Sequence, residues 1–315
     1  MATYLVTGGA GFIGSHVVEA LASRGDRVRV VDSLVTGRRE NLEHIPDVEL
    51  MIGDLADSSI ANSAVAGVDY VLHLAAIPSV PRSVAEPIAT NHANVTGTLS
   101  VYVAAKRHAV KRVVFASSSS VYGNSSSLPK HEDMRPDPLS PYALQKLAGE
   151  LYGKLFYDLH GLETVSVRYF NVFGPRQDPS SPYSGVISLF ARCLAERRRP
   201  TIYGDGEQTR DFTYVHNVVE GTLLACTAPR AAGQVINVSC GGRVSLNALY
   251  RMMCDQMDSS LEPRFTSPRP GDVRDSQGDI TKATNLLGYL PPVSLEEGMR
   301  RTLDWYRDRT FQTVA

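Results

Sequence analysis

The chain has 315 residues, 43% of them hydrophobic and 21% charged, with a formal net charge of −1. That length suits one large core with a smaller appendage, since single cores stop growing near ~250–300 residues. The balanced charge offers no basic field to nucleic acid or anionic lipid, no apolar run approaches the ~20 residues of a membrane helix, and the N-terminus lacks a basic segment followed by an apolar one. These features predict a cytoplasmic protein with neither a nucleic-acid nor a membrane partner. Cys193, Cys226, Cys240 and Cys254 stand far apart without a CxxC pair or a nearby histidine at ligand spacing. They read as buried thiols, and no metal site is expected.

In chain order, short apolar runs alternate with helical patterns: Tyr4–Thr7, Ile13–Ser23, Arg27–Val31, Val48–Ile52, Tyr70–Leu74, Val95–Arg107 and Arg112–Ala116. Such alternation predicts a parallel sheet covered by helices on both faces, a Rossmann-type doubly wound α/β fold. The run Leu5-Val6-Thr7-Gly8-Gly9-Ala10-Gly11-Phe12-Ile13-Gly14 follows the first strand and opens an apolar helix. Its glycines allow a tight turn and close approach of backbone to a pyrophosphate, while the helix N-terminus supplies N–H donors and partial positive charge. The next strand ends in Asp32, placed to accept hydrogen bonds from an adenosine ribose and to repel a 2′-phosphate, so NAD is expected rather than NADP. Asp54-Leu55 ends a further strand, where an adenine edge would lie.

Ser140-Pro141-Tyr142-Ala143-Leu144-Gln145-Lys146 starts a helix, with Ser140 as N-cap and Pro141 at the first helical position. Tyr142 and Lys146 are four apart and share a face, where an ammonium is expected to lower the phenol pKa from its ordinary ~10 and make Tyr142 a general base. Upstream, Ser117-Ser118-Ser119-Ser120-Val121-Tyr122-Gly123 ends another strand. From about residue 175 the chain gains Pro, Gly and Ser and departs into a smaller lobe; a helix over 211–228 and a strand over 235–238 suggest a return. The expected division is 1–175, rejoined by about 211–239, for the cofactor, with 176–210 and 240–315 for a second ligand.

With these motifs in place, the sequence resembles the extended short-chain dehydrogenases/reductases, within them the epimerase/dehydratase group and the UDP-galactose 4-epimerases that accept UDP-N-acetylhexosamines. The resemblance runs nearly end to end: TGGAGFIG at 7–14, HLAA at 73–76, NVTGT at 94–98, SSSSVYG at 117–123, YALQK at 142–146, RYFNVFGPR at 168–176, RDFTYV at 210–215 and RPGDVR at 269–274. It implies NAD as cofactor and a UDP-sugar as substrate, oxidised transiently at C4. It also implies a homodimer formed through the helices near 95–107 and 141–160. Ser118 would then hydrogen-bond the reacting sugar oxygen with Ser119 beside it, Tyr142 would be the base, and Lys146 would hold the nicotinamide ribose. Phe12, Ile13, Ala75, Asn94 and Tyr169 would line the cofactor. Asn171, Arg210 and Arg269 would meet the diphosphate, and Val186, Thr201, Tyr203 and Asp272 would enclose the uridine.

Dehydratases and decarboxylases of the class carry an acid where Ser119 and Ser120 stand, which sets them aside. UDP-glucuronate 4-epimerases remain as neighbours, although they typically have Thr where Asn171 stands. Ser276 is small where glucose-only bacterial enzymes tend to carry Tyr, and the loop Pro78-Ser79-Val80-Pro81-Arg82-Ser83 resembles that of epimerases taking 2-acetamido sugars. A rival reading from another class is a non-catalytic NAD-binding regulator that kept the fold; the presence of Ser118, Tyr142 and Lys146 together argues against it.

Overall fold

The structure, a computed structural model, describes residues 1–178, 185–268 and 273–312, with side chains followed to 308. Seven parallel strands form the central sheet: β1 (Thr3–Thr7), β2 (Arg27–Asp32), β3 (Glu49–Ile52), β4 (Tyr70–His73), β5 (Arg112–Ser118), β6 (Glu163–Tyr169) and β11 (Val235–Val238). Their order is β11-β6-β5-β4-β1-β2-β3. The chain therefore leaves β1 in one direction toward β3 and resumes at β4 in the other. That reversal opens a crevice above the carboxyl ends of β1 and β4, where open α/β sheets bind ligands.

Strands rich in Val, Leu and Phe bury both faces, as a sheet covered on two sides requires. On one side α1 (Phe12–Ser23) and α8 (Val215–Thr227) pack around Val17, Leu21, Val30, Val167 and Val218. On the other, α2 (Ser58–Val65), α5 (Gly97–Arg107) and α6 (Pro141–His160) enclose Leu5, Val71, Tyr102, Phe115 and Phe156. The long α6 is bounded as its sequence dictates: the Ser140 side chain accepts the Ala143 N–H, Pro141 fills the first turn, and Gly161 ends the helix at φ 67°. Two short helices, α3 (Val80–Ala85) and α4 (Pro87–Asn91), lead into a π-helical turn at His92–Thr96.

The helix expected over 95–107 thus begins as a widened turn, a form that recurs at functional sites. A helix expected over 211–228 starts instead at Val215, because Arg210 and Thr213–Tyr214 are taken up in short strands.

Beyond β6, three short pairs accompany the sheet: β7 (Val172–Phe173) with β10 (Thr213–Tyr214), β9 (Thr209–Arg210) with β12 (Val244–Ser245), and β8 (Thr201–Tyr203) with β13 (Arg264–Thr266). With α7 (Val186–Ala195), α9 (Leu246–Gln256) and α11 (Leu295–Gln312), they close over a separate core that includes Phe190, Ile202, Leu249, Met253 and Met299. α10 (Thr281–Leu287) packs beside β11.

Candidate active site

The glycine turn after β1 is shaped by close approach. Gly8 has φ +68°, and a Cβ there would stand 2.8 Å from the Ala75 backbone; a Cβ on Gly14 would stand 2.1 Å from the Gly8 carbonyl oxygen. α1 starts behind Gly11 with no side-chain cap and no acidic residue in its first turn, so Phe12, Ile13 and Gly14 present backbone N–H donors without local competition. The donor set and the missing side chains fit a dinucleotide pyrophosphate.

Asp32 ends β2, 7% exposed, and its two oxygens accept N–H bonds from Leu34 (2.8 Å) and Ala10 (3.0 Å). Burial raises its pKa against those two bonds. The carboxylate therefore also secures the glycine turn, and its remaining lone pairs are the ones left for a ribose. At the end of β3 the Asp54 side chain accepts the Ala56 N–H at 2.9 Å, while Leu55 is buried in the second core.

One buried chain of hydrogen bonds explains three of the motifs together. The Ala75 N–H donates to Thr7 Oγ1 (3.1 Å), which pairs with His73 Nδ1 (2.7 Å); His73 Nε2 pairs with Thr98 Oγ1 (2.9 Å), which donates to the Asn94 carbonyl (2.6 Å). Since the Thr98 proton is spent on Asn94, His73 carries its proton on Nε2 and accepts at Nδ1. It stays neutral, its pKa lowered to about 3 by burial and then by Lys146. Asn94 in turn holds Ile77, accepting its N–H at 2.7 Å, and donates to Gln145 at 2.8 Å. The amide of Asn94 is engaged in fixing loop 75–77 to α6.

Ser118 ends β5, where its Oγ accepts the Ser120 N–H at 3.1 Å, and Tyr142 opens α6 with the Ser118 hydroxyl as the side-chain neighbour that favours its ionised form. The Tyr142 N–H donates to Ser83 Oγ at 3.0 Å, so the Ser79–Ser83 loop helps to place the phenol; Ser79 itself caps α3. Lys146 is 4% exposed, donates to the Ala116 carbonyl at 2.7 Å and has its nitrogen 5.9 Å from the Tyr142 ring centre.

The expected lowering of the Tyr142 pKa is absent. Burial raises it to about 12, with only the neighbouring Ser118 hydroxyl acting in the other direction. The physical reason is that Lys146 donates to Ala116 and is itself lowered to about 8 by burial, against the pull of Glu150.

Tyr169, at the end of β6, turns its hydroxyl to Thr222 at 2.7 Å, and burial raises its pKa. Asn171 adopts φ 33° and donates to the Asp211 carbonyl at 3.1 Å. The Arg210 guanidinium donates to the carbonyls of Thr209 (2.9 Å) and Arg274 (3.1 Å), and the Ser276 N–H donates to Thr209 at 3.1 Å, so Arg210 and Ser276 lie on adjoining segments. Tyr203 ends β8 and its carbonyl accepts from Gln208; Thr201 begins that strand exposed, and Val186 begins α7 against the lobe core. Ser119 opens a short 3-10 turn after Ser118. Arg269 and Asp272 lie outside the described residues.

Several residues of consequence were not singled out from the sequence, although Ser117 and Arg168 open two of the motifs. Glu150 and Arg168 form a buried pair, each 3% exposed in its side chain, behind Lys146, and Ser117 donates to the same carboxylate. Glu150 falls four residues after Lys146, a spacing that marks a shared helical face but not its burial.

An open parallel sheet with a dinucleotide cradle at its switch point, one strand away from a neighbouring Ser–Tyr pair with a helical lysine, is the architecture of the short-chain dehydrogenases/reductases. The chain belongs to the NAD dependent epimerase/dehydratase family, whose model matches residues 4–239. A UDP-glucose 4-epimerase of Mycolicibacterium smegmatis is 39% identical over 311 residues, covering 97% of this chain and 99% of that protein. Among solved structures, a UDP-N-acetylglucosamine 4-epimerase from Methanobrevibacter ruminantium in complex with UDP-N-acetylmuramic acid superimposes with TM-score 0.94 at 39% identity, covering 98% and 99% of the two chains. A UDP-glucuronic acid 4-epimerase from Bacillus cereus, in complex with UDP-glucuronic acid and NAD, gives TM-score 0.90 at 31% identity, with 98% and 99% covered. NAD is the cofactor of the family, and the glycine cradle accommodates it.

Proposed function

We propose that this chain is a UDP-hexose 4-epimerase, interconverting UDP-glucose and UDP-galactose and also UDP-N-acetylglucosamine and UDP-N-acetylgalactosamine through a 4-keto sugar. The observation that carries the reading is the grouping of Ser118 at the end of β5 with Tyr142 and buried Lys146 at the start of α6, with Ser119 where a dehydratase would need an acid. Bound NAD supplies a hydride acceptor and donor at sugar C4. Tyr142 takes the proton of the 4-hydroxyl, with Ser118 bridging the two oxygens, and returns it to the opposite face's product after the keto sugar turns over. A phenol near pKa 12 needs nearby positive charge to do so at neutral pH, and Lys146 is the chain's own source of it.

In this reading the segments 1–175 and 211–239 hold NAD through Gly8, Gly11, Phe12, Ile13, Gly14, Asp32, Asp54, Leu55, Ala75, Asn94 and Tyr169. Segments 176–210 and 240–315 hold the nucleotide sugar through Val186, Thr201, Tyr203, Arg210, Arg269 and Asp272, helped by Asn171. Ser79 and Ser276 leave room for a 2-acetamido group. A second copy packs on α6, where Leu144, Leu151, Leu155 and Leu159 expose one apolar stripe (57, 58, 49 and 71%), as a dimer contact would require.

The test incubates the purified protein, without added NAD, separately with UDP-glucose, UDP-N-acetylglucosamine and UDP-glucuronate, and looks for each C4 epimer by NMR. Turnover of the first two is expected. Turnover of glucuronate alone overturns the substrate assignment, and turnover of none returns the regulator reading.

A further inference from the structure

We propose that Asp211 is a positioning residue of the nucleotide-sugar site, whose buried carboxylate clasps two further chain segments to its own, while its carbonyl holds a third, and which thereby sets the places of Arg210, Asn171 and Ser276. The inference rests on reading those three as nucleotide-sugar ligands.

Asp211 is 1% exposed. Its Oδ1 accepts the N–H of Cys240 at 3.0 Å, and its Oδ2 accepts those of Gly241 at 3.0 Å and Gly278 at 3.1 Å. Cys240 and Gly241 follow the carboxyl end of β11, so one arm of the clasp is anchored in the central sheet. Gly278 lies two residues beyond Ser276, whose own N–H is held by Thr209, two residues before Asp211. The backbone carbonyl of Asp211 accepts the Asn171 side chain at 3.1 Å, and Arg210 directly precedes it. One residue thus joins the Arg210 strand, the Ser276 segment, the Asn171 turn and the sheet.

A carboxylate is costly to bury unless its lone pairs are met, and here three backbone donors converge on it. Two of the donors come from glycines at places that resist a side chain: Gly241 has φ +76°, and a Cβ on Gly278 would stand 2.3 Å from Ser239 Oγ. An amide in place of the carboxylate keeps one acceptor oxygen but turns an NH2 toward a backbone N–H, so at least one arm must open.

The titratable groups facing Asp211 are the Cys240 thiol, raised to about 11 by burial and then by Asp211, and the Tyr289 phenol, raised chiefly by burial. Both are uncharged near neutrality. The adjacent Arg210 guanidinium is directed to the Thr209 and Arg274 carbonyls. Burial raises Asp211 itself to about 6 against its three backbone bonds. Protonation below that value removes an acceptor, so the clasp loosens as pH falls.

The experiment measures UDP-glucose binding to the NAD-containing protein by calorimetry, for wild type and Asp211→Asn, with bound NAD assayed alongside. About tenfold or greater weakening is expected, appearing in KM more than in kcat, with NAD retained. Asp211→Asn binding within about twofold of wild type overturns the inference. Should the variant fail to fold, wild-type affinity followed from about pH 8 to about pH 5 decides: UDP-glucose has no proton to gain in that range, and about tenfold weakening is expected one unit below the Asp211 value. A flat profile overturns the clasp. Wild type that fails to bind UDP-glucose at about pH 8 removes the functional reading itself, a result distinct from either.

Discussion

Glu150→Gln tests the support behind the Ser118–Tyr142–Lys146 group. In the native chain the Arg168 guanidinium reaches the Glu150 carboxylate through two N–H bonds of 2.8 and 2.7 Å, both side chains being 3% exposed. The substitution keeps the volume but leaves Arg168 buried without its counter-charge. Removing one partner of such a pair costs about 3–5 kcal/mol, a large share of a typical domain's stability of about 5–15 kcal/mol. The same change acts on Lys146, which burial lowers to about 8 while Glu150 pulls it upward. Without Glu150 the lysine loses its proton at lower pH, so turnover falls on the alkaline side at lower pH than in wild type. Urea unfolding measures the first effect and a pH–rate profile the second. The double variant Glu150→Leu, Arg168→Met, which removes both charges, should recover much of the stability but not the alkaline limb. A loss below about 1 kcal/mol in Glu150→Gln, together with an unshifted alkaline limb, refutes the reasoning.

Tyr142→Phe should retain NAD and lose nearly all turnover, measured as bound NAD against epimer formed; activity surviving within severalfold removes Tyr142 from the base role. Gly14→Ala drives a methyl to 2.1 Å from the Gly8 carbonyl, so the purified variant should carry little NAD by absorbance and unfold at lower denaturant concentration. Leu155→Asp places a charge in the exposed α6 stripe and should shift the mass found by light scattering from dimer to monomer; a wild-type monomer at micromolar concentration removes the dimer proposal.

Much of the fold was legible because local rules and tertiary outcome agree. Alternating apolar strands and helices required a covered parallel sheet, and the run of Gly8, Gly11 and Gly14 marked the cradle, where only glycine tolerates the φ of +68° at Gly8 and the 2.1 Å approach at Gly14. Tyr142 and Lys146 were legible from a four-residue spacing and a Ser-Pro helix start. The lobe was harder to read. Its strands are two or three residues long, too short for periodicity, and the π-helical turn at His92–Thr96 has no pattern of its own.

What the sequence determined alone was which side chains share a face or a turn, since that follows from helical and strand geometry. What tertiary structure decided was their electrostatics and their long-range partners. Spacing brings Lys146 near Tyr142 on the helix, yet burial and the Ala116 carbonyl leave the phenol raised to about 12. Asp211 finds Cys240, Gly241 and Gly278 at separations of 29 to 67 residues. Desolvation and such contacts exist only once the chain has closed on itself, because both depend on which atoms exclude water from a group rather than on which residues precede it.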